Sequence, residues 1–157
     1  MYSLNFGLMS IRTVLGVVLI GIVSSGCGRQ EEIVLGKVTD LPEYFSETFH
    51  FGKDLRSISE LNEFTLVTGK IDTTTETPPR RLAVISVGHS KIFIGLKKST
   101  IRNDEINEQY AGSGYSLDLT YKEQRVRGHS PIYEGYFTVE HGNLRSTYNV
   151  VGTSGYY

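Results

Sequence analysis

The side chains in this sequence with types suited to chemistry are one thiol, four imidazoles, a few carboxylates and three basic clusters. Cys27 is the only cysteine, and a thiolate is a nucleophile. The imidazoles are His50, His89, His129 and His141. None stands at metal-ligand spacing from another, and no second Cys can join them, so no metal site is expected. They read as solvated loop histidines. Gly112-Ser113-Gly114 and Ser154-Gly155 read as flexible loops. Neither forms the GxSxG elbow of a nucleophilic serine, and the first lacks the spacing and the Lys of a phosphate-binding loop. Asp118, Glu134 and Glu140 fall on the wet faces of expected strands. Two of them converging in a groove would make an acid–base pair; lying apart, they are solvated. Arg80-Arg81, Lys97-Lys98 and Arg125-Val126-Arg127 are expected in loops or at strand ends. Gathered in space they would suit an anionic glycan, a lipid headgroup or an acidic protein face. No catalytic residue and no cofactor are assigned.

The thiol is the group with a telling context. Residues 14–23 form an uncharged apolar run behind Arg12. A bilayer-spanning helix needs about 20 such residues, whereas a run of about ten suits the apolar centre of a secretory signal. Ser24-Ser25-Gly26-Cys27 comes directly after it. This stretch resembles the lipobox of bacterial lipoprotein precursors, in which small residues and a Gly precede an obligatory Cys. One position departs from the commonest pattern: Ser24 stands where Leu or Val is usual. The resemblance implies a diacylglyceryl group on Cys27, cleavage between Gly26 and Cys27, and a membrane partner reached through that lipid. It also implies a destination. Gly28 rather than Asp succeeds the Cys, which suits the outer membrane if the cell has one, and otherwise the outer face of the cell membrane. Lipidation would use the lone thiol, which is otherwise unusual in an oxidising compartment. Met9 begins a more conventional signal than Met1, so translation is expected to start there.

These groups need elements to position them. The chain has 157 residues, the length of one domain. It divides into a signal (1–26), a short lipidated linker (27–32) and a single β-rich domain (33–157). Its net charge of −1 does not favour a nucleic-acid binder. Strands are expected at 33–38, 64–71, 82–87, 91–96 and 115–121, and in a hairpin about Gly142-Asn143. That turn sets Glu140 opposite Arg145, Thr138 opposite Thr147, Phe137 opposite Tyr148 and Tyr136 opposite Asn149. Asp40-Leu41-Pro42 marks a turn, and 72–81 reads as a loop. Helices are expected at 54–64, capped by Asp54 with Leu55, Ile58 and Leu61 on one face, and at 103–111, capped by Asn103. The fold class is mainly β: an antiparallel β-sandwich or partly open barrel with one or two short helices.

The expected function is that of a lipid-anchored envelope lipoprotein whose domain binds a protein or an envelope polymer and is not an enzyme. The alternative is a lipid-anchored hydrolase of cell-wall or glycan material. A deep pocket gathering carboxylates with a His would favour the hydrolase. A flat Tyr-rich face or an open sheet edge would favour binding.

Overall fold

The computed structural model describes residues 32–71, 80–124 and 131–155. Gly26, Cys27, His129, Arg125-Val126-Arg127 and most of the expected 72–81 loop lie outside the described residues. The elements are β1 (Leu35–Gly36), β2 (Phe45–Gly52), α1 (Leu55–Ser59), β3 (Leu66–Ile71), β4 (Arg80–Val87), β5 (Ser90–Arg102), β6 (Glu105–Gly112), β7 (Tyr115–Gln124), β8 (Ile132–His141) and β9 (Leu144–Gly155). From β2 to β9 each strand pairs antiparallel with the next, and β9 pairs back onto β2. The mainly β fold is therefore a closed eight-stranded up-and-down barrel with, among the described residues, one short helix. Closure removes the sheet edges that a partly open form would leave. The two-residue β1 lies on β4 beyond the end of β3, pairing Leu35 with Val87. It is shorter than the 33–38 strand expected.

Alternation decides which side chains enter. On β7, Tyr115, Leu117, Leu119 and Tyr121 point inward while Asp118 stays exposed. The last hairpin has the expected register, with Glu140 opposite Arg145 and Phe137 opposite Tyr148. Gly142, at φ 61, takes the first position of its two-residue turn. Ser113-Gly114, expected to be flexible, is another two-residue turn, and Ser154-Gly155 closes β9 as strand. All eight barrel strands send apolar side chains inward, among them Phe51, Leu66, Ile85, Ile94, Tyr110, Leu117, Phe137 and Val150. An eight-stranded barrel is just wide enough for side chains to fill it, and here they do. Ile33 joins this interior core, donating its N–H to Ser146 Oγ at 2.8 Å, and its carbonyl accepts from the Tyr148 hydroxyl.

Two helix expectations need correction. Asp54 does cap α1, accepting from Ser57 N at 2.8 Å. The helix nevertheless ends at Ser59, and Ile58 alone of its expected stripe is buried. The chain turns back at Asn62, φ 51, to reach β3. Residues 103–111 are not helical. Asn103 and Asp104 take φ 51 and 65 and form the two-residue turn between β5 and β6. Both residue types tolerate the left-handed region, which such turns require. From Glu105 the chain runs on as β6.

A second apolar layer lies outside the barrel. Residues 37–44 form a strap that leads into Phe45, and Val38, Phe45, Ile58 and Phe64 pack on Val67 and Val84 of β3 and β4. The strands of the β4–β5 hairpin read as apolar on both faces for this reason. A bulge at Glu47, φ 44, shifts the register of β2. It turns Phe45 outward and leaves Phe49 and Phe51 inward. Phe45 covers Gly69, where an added Cβ would stand 2.5 Å from its ring. His50, expected in a loop, is buried on β2 and stacks on Phe64 at 4.4 Å. Burial lowers its pKa to about 4, so it is neutral at physiological pH.

Candidate binding face

Inside the barrel, one polar network interrupts the apolar core. Arg81 Nη1 lies 2.7 Å from Glu108 Oε1, and Tyr110 donates its hydroxyl to Glu108 Oε2 at 2.6 Å. The guanidinium also sits over the Phe49 ring, 5.1 Å from its centroid. Burial is the largest single influence on Arg81 and works against its charge, but Glu108 together with Tyr110 and Tyr121 outweighs it, and the pKa of Arg81 is raised. Burial, reinforced by Glu108, raises Tyr110 and Tyr121 as well, so both phenols stay protonated. Glu108 is fully buried. Each charge is already answered by the other, so the network reads as part of the scaffold.

The outer face of β6–β9 has a different character. The paired registers align its side chains in rows across four strands. One row runs Glu105, Lys122, Glu134, Val151. The next runs Asn107, Thr120, Tyr136, Asn149, then Gln109, Asp118, Thr138, Thr147, and last Ala111, Ser116, Glu140, Arg145. Neighbours in these rows hold one another. Thr120 Oγ1 donates to Asn107 Oδ1 at 2.8 Å, the Thr138 and Thr147 hydroxyls share a hydrogen bond of 2.9 Å, and Arg145 Nε stands 3.3 Å from Glu140 Oε1. At about 4.8 Å between strands, the face is roughly 15 Å wide. A membrane-spanning barrel turns an apolar band outward and a polar surface inward. Here the interior is apolar and the β6–β9 face is polar, so this face meets water.

A groove of about 420 Å³ crosses the first two rows. It is lined by Lys53, Glu105, Lys122, Glu134, Tyr136 and Asn149, among others. Gly135 lies in its floor. An added Cβ there would come within 2.1 Å of Thr120 O, so the close approach of β7 and β8 requires glycine. Tyr136 is 47 % exposed, an aromatic ring set among amide, hydroxyl and charged groups.

The sequence-derived candidates are distributed accordingly. Asp118, Glu134 and Glu140 all lie on this face, but Glu134 alone of the three lines the groove. Lys53, Glu105 and Lys122 are groove residues that sequence reasoning does not single out, whereas Tyr136 is placed opposite Asn149 by the turn. His89 sits exposed in the β4–β5 turn, and His141 stacks on Tyr115 at 4.2 Å. Lys97-Lys98 falls within β5 at a bulge, not at a strand end, and Arg81 turns inward to Glu108. Among the described residues, no three His, Cys, Asp or Glu side chains gather as a metal site requires.

The chain matches no family model, and comparison with curated proteins and with solved structures finds no match. What fold and site define is a class: a closed antiparallel barrel with a filled interior and a grooved polar face.

Proposed function

We propose that this chain is a lipoprotein, held at the membrane by lipid on Cys27, whose barrel binds an envelope polymer or protein through the β6–β9 face and performs no catalysis. The observation that carries the binding reading is the division of the barrel. Its interior is occupied by side chains, while one outer face offers a groove, a half-exposed Tyr136 and rows of hydrogen-bonding groups. An exposed aromatic ring beside amides and hydroxyls is the chemistry that stacks on and hydrogen-bonds polar partners. A hydrolase is the weaker reading. Glu105 and Glu134 both enter the groove, but Lys122 pairs in register with each, and among the described residues no His lines it.

The anchor and the barrel are compatible in reach. Ile33 is tied to Ser146 and Tyr148, and the residues from Cys27 to Ile33 extend to roughly 20 Å at most. The barrel would therefore stand close to the membrane. Cys27→Ser is expected to abolish fatty-acid labelling and to leave precursor or a soluble product. Labelling that persists in the variant would contradict the anchor.

A further inference from the structure

The geometry points to a second binding site, outside the β6–β9 face, for a small organic cation with an apolar body. It lies between the strap and the connection from α1 to β3, where the outer apolar layer packs on β3 and β4. The observations behind it are independent of the polar rows. The pocket encloses about 620 Å³, within the range of about 300–1,000 Å³ typical of small-ligand sites. Val38, Phe45 and Phe64 form buried apolar walls, with Leu41, Pro42 and Leu61 nearer the opening. Leu61 remains 52 % exposed, although it is a large apolar side chain beside a buried cluster.

Two carboxylates set the polarity of the opening. Asp40 and Glu43 both belong to the lining, and neither forms an ion pair among the described residues. Of the neighbouring ammonium groups, Lys37 is engaged elsewhere, while Lys91 stands at the opening and offsets part of its negative charge. Lys91 Nζ donates to the main-chain oxygen of Asp40 at 2.7 Å, and Lys37 pairs with Glu63. An apolar chamber with two such negative charges in its lining selects for a positive group attached to an apolar chain. The same charges repel a fatty acid or an anionic headgroup.

The pocket is also pre-formed. Val38 N donates to Phe64 O at 2.7 Å, Phe45 N to Pro42 O at 3.0 Å, and Glu63 N to Ser57 O at 2.8 Å. Asp40 and Asn62, on opposite walls, each hold φ 51. A cavity braced in this way loses little freedom when a ligand enters.

The test titrates hexylammonium, and separately hexanoate, into the mature barrel while amide and methyl resonances are monitored at low salt. Hexylammonium is expected to shift Val38, Leu61 and Phe64 saturably, and hexanoate to leave them unmoved. Asp40→Asn keeps a residue that tolerates the left-handed region, and Glu43→Gln alters an exposed side chain. Each should weaken hexylammonium binding about fivefold, the worth of one charge pair at about 4 Å in water. Should Asp40→Asn lose its fold, Glu43→Gln and added salt carry the same comparison, and both should weaken binding. Equal response to hexanoate, no saturable shift, or unchanged affinity in the variants would overturn the site. A lysine-bearing peptide that shifts the pocket where hexylammonium does not would overturn it as well, since the pocket would then be a docking surface for another chain.

Discussion

Arg81→Met is expected to cost the barrel about 3–5 kcal/mol, a large share of the roughly 5–15 kcal/mol that holds such a domain together. The reason lies in what it leaves behind. Glu108 is fully buried, and Arg81, 2.7 Å away, supplies its counter-charge. Without the guanidinium the carboxylate keeps the Tyr110 hydroxyl and little else. An uncompensated charge in a filled barrel is far more expensive than an absent pair. Arg81→Met combined with Glu108→Gln should therefore be more stable than Arg81→Met alone, because Gln still offers Tyr110 an acceptor and no charge remains buried. Chemical denaturation of the native chain, Arg81→Met, Glu108→Gln and the double variant decides the matter. A double variant that loses the sum of the single losses would show that the pair is not coupled.

The second large effect belongs to the C-terminal hairpin. Phe137 is fully buried and stacks on Tyr148 with ring centroids 5.2 Å apart. Phe137→Ala removes that ring from the centre of the interior core and should cost about 3–5 kcal/mol. Glu140 lies on the opposite face of the same strand, where its ion pair with Arg145 is largely solvated. Glu140→Ala should cost under about 1 kcal/mol. The contrast between the two faces is what denaturant melts would measure. Equal losses would mean that the inward and outward faces of β8 are wrongly assigned.

This hairpin is also the most legible part of the sequence. Gly142-Asn143 fixes a two-residue turn, and alternation on either side leaves one register that turns Phe137, Val139 and Val150 inward together. β7 is legible for the same reason. β2 is not, because the bulge at Glu47 puts Phe45 and Phe49 on opposite faces although they are four residues apart. β6 reads as a helix in sequence for a chemical reason. Asn and Asp ahead of Glu is the signature of a capped first turn, yet Asn and Asp are also residues that accept φ > 0 in a hairpin. The buried Glu108 then breaks the apolar alternation that would have marked a strand. Closure itself has no local signal, since the β9–β2 pairing joins distant segments. The binding face is half visible. Tyr136 opposite Asn149 and Thr138 opposite Thr147 come from the turn alone, whereas Lys53, Glu105 and Lys122 reach the groove through pairings that the sequence does not announce.

The most direct measurement of the proposed role is co-sedimentation of the unlipidated barrel, residues 28–157, with isolated envelope material, comparing the native sequence with Tyr136→Ala. The half-exposed ring contributes little to the core, so the variant should melt close to the native chain. The expected result is that the native protein pellets with the envelope polymer or its bound proteins, and that Tyr136→Ala, still folded, stays largely in the supernatant. Undiminished pelleting of a folded Tyr136→Ala would contradict binding through the β6–β9 face.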